Sequence, residues 1–265
     1  MSQAQDTANR FDRISDVYDE TREPLSTDAL DKAAEVLIRD GCKKILEVGI
    51  GTGRIAKPLF DRNFEIAGVD LARKMMAKAR GKGIVNLVMG DANNPPIRDK
   101  SFDVVLLAHV VHLLEDPAAT FEKLWRIPTK EIIIFVRKRE QPGESSSPAQ
   151  AEFGDIRQIF RAAAEGLGFD LPSRSWDWRE RFRNEINLLN SRPPTELITI
   201  QDSEVVTTLG ERVSFFEKRA FGNLSSIPDD VFQRVMEKVK ASVDLGKEFR
   251  YRRVEQMAIW RVPHG

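Results

Sequence analysis

Apolar and polar positions divide the chain into two unlike halves. Between residues 43 and 136, short apolar runs alternate with helix-like stretches. Lys44-Ile45-Leu46-Glu47-Val48 is one run and ends in glycines. Phe64 to Asp70 is a second and ends in a carboxylate; Asn86 to Asp91 repeats that design. Phe102 to Leu107 and Glu131 to Val136 are nearly continuous apolar runs, the pattern of central strands buried on both faces of a parallel sheet. Helix-like segments fall at about 54–62, 71–81 and 117–126. The alternation predicts an α/β fold with a doubly wound, mostly parallel sheet and right-handed crossovers. In such sheets ligands bind beyond the carboxyl ends of the strands.

The second half reads differently. Arg137-Lys138-Arg139 opens a polar, Pro- and Ser-rich stretch that runs to Pro148, read here as a solvated loop. Residues 150–168 form an amphipathic pattern, with Phe153, Ile156, Phe160, Ala164 and Leu167 at steps of three and four and Gly166 and Gly168 at its end. A further helix is expected at 180–190, a strand at 196–200, helices at 203–216 and 228–239, and a last strand at 254–260. Asp229 and Asp230 after Pro228 suit a helix start. Near the N-terminus, Phe11, Ile14 and Tyr18 fall on one helical face.

With 265 residues, the chain has room for one generous domain or a compact one carrying an inserted cap. Lys+Arg and Asp+Glu are both 41, a neutral balance that argues against life on phosphate backbones or anionic lipid. No apolar run approaches the roughly 18 residues needed to span a bilayer, and the polar start lacks a secretory signal. Cys42 is the single cysteine and forms no internal disulfide; with His109, His112 and His264 it makes no recognisable zinc pattern. The expectation is a soluble, cytoplasmic globular protein with no metal, no nucleic-acid partner and an oligomeric state that the sequence leaves open.

The chemistry gathers after the strands. Glu47-Val48-Gly49-Ile50-Gly51-Thr52-Gly53-Arg54 places three glycines at alternate positions, where a backbone turns tightly and a ligand approaches closely. Counted from Gly49, a dinucleotide fingerprint fails at Arg54; counted from Gly51 it fits, ending at Ala56. NAD therefore stays open on the glycines alone. Asp70 stands where a ribose-binding acid is expected, and Asp91 is placed to accept from an adenine amine. Glu47 brings negative charge to the loop, which suits a cationic ligand better than a pyrophosphate.

Together, Glu47-x-Gly49-x-Gly51-x-Gly53, Asp70, Gly90-Asp91-Ala92 and Ser101-Phe102-Asp103-Val104-Val105 resemble the ordered motifs of class I S-adenosylmethionine-dependent methyltransferases. The resemblance covers about residues 8–136. It implies a Rossmann-like, seven-stranded sheet with an N-terminal helical lid and a helical cap inserted late. It implies S-adenosyl-L-methionine as cofactor, with its amino-acid part at Glu47, Gly49, Gly51 and Gly53, its ribose at Asp70 and its adenine at Asp91. Leu71 and Ala92 would then flank the adenine, Met75 would pack nearby, and Ala108 would close the site after the fourth strand. The segment from Phe11 to Arg22 is similar to the lid of the small-molecule branch, implying that Tyr18 covers the cofactor and Arg22 reaches its carboxylate. Asn94-Pro95-Pro96-Ile97 precedes the fourth strand rather than following it and ends in Ile, so it is read as a stiffened loop. The glycines that the family places before its fifth strand are missing from Leu124-Trp125-Arg126-Ile127-Pro128.

His109 and His112 follow the fourth strand and are candidate general bases, His112 preferred. Asp116 ahead of Pro117 reads as a helix cap. The late helical insertion resembles small-molecule methyltransferases of the ubiquinone/menaquinone-biosynthesis type. Residues 1–142 are thus expected to form lid and cofactor core, and 143–265 the rest of the sheet with an acceptor-binding cap, all one structural unit. Trp176, Trp178, Phe215, Phe216 and Phe221 are candidate pocket residues, and Arg212 and Arg219 candidate partners of an acidic acceptor. Methyl transfer to an oxygen, carbon or nitrogen of a small molecule is the implied reaction. The rivals are an RNA or protein methyltransferase on the same core, a non-catalytic cofactor-binding regulator, and a dehydrogenase.

Overall fold

The computed structural model describes residues 3–138, 148–169, 171, 178–219, 224 and 227–263. Seven strands form one sheet: β1 (Lys44–Val48), β2 (Glu65–Asp70), β3 (Asn86–Met89), β4 (Phe102–Ala108), β5 (Pro128–Lys138), β6 (Glu196–Thr208) and β7 (Glu248–Arg261). Their order is β3-β2-β1-β4-β5-β7-β6. The first five are parallel, and β7 runs antiparallel to both neighbours. Strand order reverses between β1 and β4, which makes the crevice beyond their carboxyl ends the ligand-binding place of such a sheet.

The apolar runs sort by parity, because successive strand side chains point to opposite faces. Ile45, Leu106, Ile133 and Phe135 join one core with α2 (Thr27–Arg39) and α3 (Ala56–Asp61). Leu46, Val48, Val105, Leu107, Ile132 and Ile134 join the other, under Phe121 and Leu124 of α5 (Pro117–Leu124). Asp116 caps α5 by accepting from the Ala119 amide at 2.9 Å, with Pro117 at the first turn. Sequence reading did not single out α2, whose Ser26 cap accepts from the Ala29 amide at 3.1 Å.

The N-terminal helix α1 (Gln3–Ile14) ends four residues before Tyr18, so Tyr18 sits on the turn that follows. The expected cluster forms nonetheless: Ile14 packs on Ala72 and on Met75 of α4 (Arg73–Gly81), with Phe11 and Tyr18 against it. Asp12 accepts from the Lys74 amide at 2.7 Å and fixes α1 to the start of α4.

The late helices are α6 (Pro148–Glu165), α7 (Trp178–Ser191), α8 (Leu209–Glu217) and α9 (Asp229–Ala241). Phe160 and Ile156 of α6, Val213 and Phe216 of α8, and Phe232 and Val235 of α9 make a separate core. Two readings need correction. Residues 203–208 belong to β6, not to a helix; the Val205, Thr207 and Thr208 run is β-branched and pairs along β7. The helix starts only at Leu209, behind a capping box of Thr208 and Glu211. Likewise, Arg137 and Lys138 are the last residues of β5, paired with Glu255 and Val254, not the start of a solvated loop. Arg139, Trp176 and Phe221, and the side chain of Trp178, lie outside the described residues.

Candidate functional site

The glycine loop follows β1 at the switch point. Gly49, Gly51 and Gly53 all hold positive φ, at 77°, 54° and 73°. The position a Gly51 side chain would take has no atom within 4 Å, whereas one on Gly49 would meet Val110 Cγ2 at 2.6 Å. Gly49 thus lets two loops touch, and Gly51 leaves a concave backbone open to a ligand.

Glu47 lies beneath this loop, only 2% exposed. Its Oε2 is buried and has no hydrogen-bond partner. Burial first, with the Asp70 charge adding to it, raises the Glu47 carboxyl to about 8, against the pull of Arg54 and the Ala56 amide. A buried, partnerless carboxylate oxygen beside an open glycine cradle asks for a cationic donor. At the end of β2, Asp70 accepts from the Gly51 amide at 2.7 Å and the Ala72 amide at 2.8 Å. Burial raises its pKa, opposed by these bonds. One carboxylate thus shapes the loop and faces the same crevice, with lone pairs left for two vicinal hydroxyls. Asp91 accepts from both nitrogens of Asn93, at 2.9 and 2.8 Å, on the loop after β3, with Ala92 half-buried beside it. Leu71 is half-buried after Asp70; Met75 is sealed under α1 at 1% exposure. These residues fit an S-adenosylmethionine: a cradle, an unpaired carboxylate for an ammonium, and acids at the ends of β2 and β3.

The segment that follows α1 is latched to this loop. Asp19 accepts from Thr52 Oγ1 and pairs with Lys82, both at 2.5 Å. Arg54 Nη1 donates to the Glu23 carbonyl at 2.7 Å. Arg22 stacks over the Tyr18 ring, Cζ 4.6 Å from its centroid, and donates to Thr21.

Ala108 ends β4, and His109 follows in a left-handed conformation at φ 58°. Burial lowers the His109 pKa to about 4, Glu255 opposing and Arg137, Arg54 and Arg253 reinforcing. His112 sits on the short turn Val111–Leu113, against which α7 packs. The two histidines are therefore not on one helical face: His109 precedes the turn that carries His112.

Sequence reading missed the charged group behind His109. On β7, positions 251, 253, 255, 257 and 259 share one face. Ile259 and Met257 belong to the apolar core, and the stripe then turns polar at Glu255, Arg253 and Tyr251. Glu255 Oε1 accepts from Arg137 Nε at 2.8 Å, and Arg253 Nε lies at 3.3 Å. Glu23 is 3.1 Å from Arg212, and its oxygen accepts from the Tyr251 hydroxyl at 2.5 Å. Glu255 is fully buried, and its Oε2 has no hydrogen-bond partner. The available signal was Arg137 two residues beyond Phe135, and Glu255 and Arg253 two and four before Met257. Of the cap candidates, Phe216 is fully buried in the helical core, Phe215 is half-buried, and Arg219 pairs with Asp229 at 2.6 Å.

Among the described residues, no group of three His, Cys, Asp or Glu is placed to hold a metal ion. No described helix is long and apolar enough to cross a membrane.

Comparison with known proteins places these features in context. Residues 46–135 match the family model of a methyltransferase domain. A demethylmenaquinone methyltransferase of Thermotoga maritima is 34% identical over 106 residues, 37% of this chain and 46% of the relative. An uncharacterized methyltransferase of Geobacillus kaustophilus is 27% identical over 88% of this chain and 93% of its own length. The relatives matched above 30% identity are covered over 46% to 63% of their length. In fold, the chain is similar to a crystal structure described as a SAM-dependent methyltransferase, possible histamine N-methyltransferase, from Thermotoga maritima. The TM-score is 0.51 at 17% identity, covering 96% of this chain and 99% of that one.

Proposed function

We propose that this chain, which carries a methyltransferase domain of the S-adenosylmethionine-dependent class over residues 46–135, transfers a methyl group to a small-molecule acceptor. The observation that carries the reading is the buried, partnerless oxygen of Glu47 under a glycine loop whose Gly51 face is open. A dinucleotide pyrophosphate would hold the Glu47 carboxyl in its protonated form, whereas the ammonium of a methionine moiety draws it to the ionised form and gives Oε2 a donor.

In this reading Glu47 and the glycine loop hold the amino-acid part of the cofactor, with Arg22 at its carboxylate and Tyr18 above it. Asp70 accepts from the ribose hydroxyls, Asp91 from the adenine amine, and Leu71, Ala92 and Ala108 complete the walls, with Met75 packed behind them under α1. When bound, the cofactor supplies an electrophilic methyl on a sulfonium: the acceptor's lone pair forms the new bond, and sulfur keeps the pair of the broken one. The protein's own task is alignment and exclusion of water, worth up to roughly 7–11 kcal/mol when orientation is good.

The acceptor's proton must leave as the bond forms. Burial first, with Arg137, Arg54 and Arg253 reinforcing it against Glu255, keeps the His109 imidazole neutral but weakly basic. We therefore assign His109 to orienting the acceptor through a hydrogen bond. His112, on the neighbouring turn under α7, is the proposed general base. The segment 1–142 then supplies lid and cofactor core, and 143–265 the rest of the sheet with a helical cap over the acceptor.

Isothermal titration with S-adenosylhomocysteine and, separately, NAD tests the assignment. Saturable S-adenosylhomocysteine binding that Asp70→Ala weakens at least tenfold, with no NAD response, is the expected result. NAD binding alone moves the chain to the dehydrogenases.

A further inference from the structure

Three guanidinium groups, Arg137, Arg212 and Arg253, share two carboxylates, Glu23 and Glu255, beside His109. We propose that the acceptor carries an oxyanion, a carboxylate or a phosphate, and that Arg137 receives it. The inference rests on the methyl-transfer reading and adds to it the chemical class of the acceptor.

Place comes first. Phe135 of β5 pairs with Ala108, the last residue of β4. Arg137 lies two residues further on the same face, so it projects just beyond the end of β4, on the reaction side of the sheet. The field of Arg137 reaches the His109 ring.

Charge comes second. Arg54 adjoins the cluster and donates to a carbonyl, the Glu23 oxygen, rather than to a carboxylate. Arg54 and Arg253 also feel each other's charge. Three guanidiniums thus share the carboxylates of Glu23 and Glu255, Arg54 stands nearby with its charge toward Glu47, and a sulfonium cofactor would add to the positive side. Buried charge is stable only when matched, so this surplus calls for an anion from the ligand.

Availability comes third and singles out one arginine. Arg253 has its side chain 5% exposed, and its Nε, Nη1 and Nη2 point to Glu255, Pro24 and Glu23. Arg212 is 16% exposed and engaged with Glu23 and Tyr251. Arg137 contacts Glu255 Oε1 through Nε and Nη2, at 2.8 and 2.7 Å, and its side chain is still 38% exposed. Glu255 thereby fixes the guanidinium plane and leaves an accessible edge, the geometry for a bidentate oxyanion.

The test uses the full chain loaded with S-adenosylhomocysteine and titrated with hexanoate, hexyl phosphate, hexylamine and hexanol. The expected result is binding of one or both anions at least tenfold tighter than of the amine or alcohol; the two anion arms separate a carboxylate acceptor from a phosphate one. Arg137→Gln should lower anion affinity at least tenfold while changing S-adenosylhomocysteine affinity less than twofold. Arg137→Lys should restore part of the loss. Should Arg137→Gln fold poorly, the double variant Arg137→Gln/Glu255→Gln removes both charges together and should lose the same binding. Equal or tighter binding of hexylamine, no binding of either anion, or anion binding that survives both variants would overturn the proposal. Failure to bind S-adenosylhomocysteine at all is a separate outcome, and it removes the methyl-transfer reading and this proposal with it.

Discussion

The two ends of the site are built in opposite ways. The proposed cofactor side, at the carboxyl ends of β1, β2 and β3, draws Glu47, Gly49, Gly51, Asp70 and Asp91 from one short stretch of chain. Each stands at a strand end or just past one, so a strand-to-loop boundary is enough to locate it. The proposed acceptor side draws Glu23, His109, Arg137, Arg212 and Glu255 from nearly the whole chain, and the pairing of β5 with β7 sets Arg137 against Glu255 at its centre. A site made of consecutive loops is written in local motifs, while one made across an antiparallel return strand is written in register.

The comparison breaks most sharply at Glu255. Its carboxylate is buried between Arg137 and Arg253, so Glu255→Ala takes the paired carboxylate from Arg137 and leaves the buried Arg253 with Glu23 alone. The expected cost is about 3–5 kcal/mol, read from urea denaturation midpoints. Glu255→Gln should recover part of it by keeping a hydrogen-bonding oxygen. The exposed pair of Arg252 and Asp202, at 2.6 Å between β7 and β6, is the control. Asp202→Ala should cost about 1 kcal/mol or less. Equal costs at the two positions would mean that the acceptor-side cluster is an ordinary surface network.

On the cofactor side, two glycines separate structure from binding. Gly49→Ala adds a methyl at positive φ and drives it into Val110, so it should destabilise by about 3 kcal/mol from backbone strain and overpacking. Gly51→Ala meets strain alone, about 1–2 kcal/mol, because its methyl enters open space. That methyl occupies the ligand's side of the loop. Gly51→Ala should therefore cost S-adenosylhomocysteine at least tenfold in affinity while the protein still folds. Thermal melts with and without ligand distinguish the two outcomes.

How far the sequence reached follows the same divide. Apolar runs placed the first four strands within a residue or two and the fifth within three, because strands buried on both faces leave a continuous signal. Asp116 with Pro117 announced α5 through its cap. The reading failed at residues 203–208, where Ser203, Glu204, Thr207 and Thr208 alternate with valines and neither period dominates. The long hairpin partner settled that segment as strand, a tertiary choice that no local window contains. Arg137 was misread for a related reason: a charged residue after an apolar run looks like the start of a loop until its partner, Glu255, is known. Arg212 was visible as a possible contact to an acid, but Glu23, Tyr251 and Arg253 carried no motif. Tyr18 was rightly grouped with Phe11 and Ile14, though the helix stops at Ile14 and a turn completes the cluster.

The finest test of the divide is titration of Glu47, since its effect is a matter of pH rather than of presence or absence. Burial holds its carboxyl at about 8, so near neutrality the unliganded protein keeps it protonated. Arg54 pulls the other way, and Asp70 adds to burial. A native carboxyl raised above its unfolded value of about 4.5 binds more protons in the folded state. Its contribution to stability is therefore complete at low pH and declines as pH rises from about 4.5 to about 8. Binding reverses the preference, because an ammonium beside Oε2 favours the ionised form and expels the proton. S-Adenosylhomocysteine affinity should accordingly rise with pH from 6 to 8, by at most tenfold per unit, and level off above about 8. Titrations in two buffers of different ionisation enthalpy should show proton release below that pH. Glu47→Gln should flatten the profile and bind more weakly at pH 8 than the native chain. A native profile already flat from 6 to 8 would mean that the buried oxygen does not face the ligand's charge. The cofactor side would then owe its selectivity to Asp70 and the glycine loop alone.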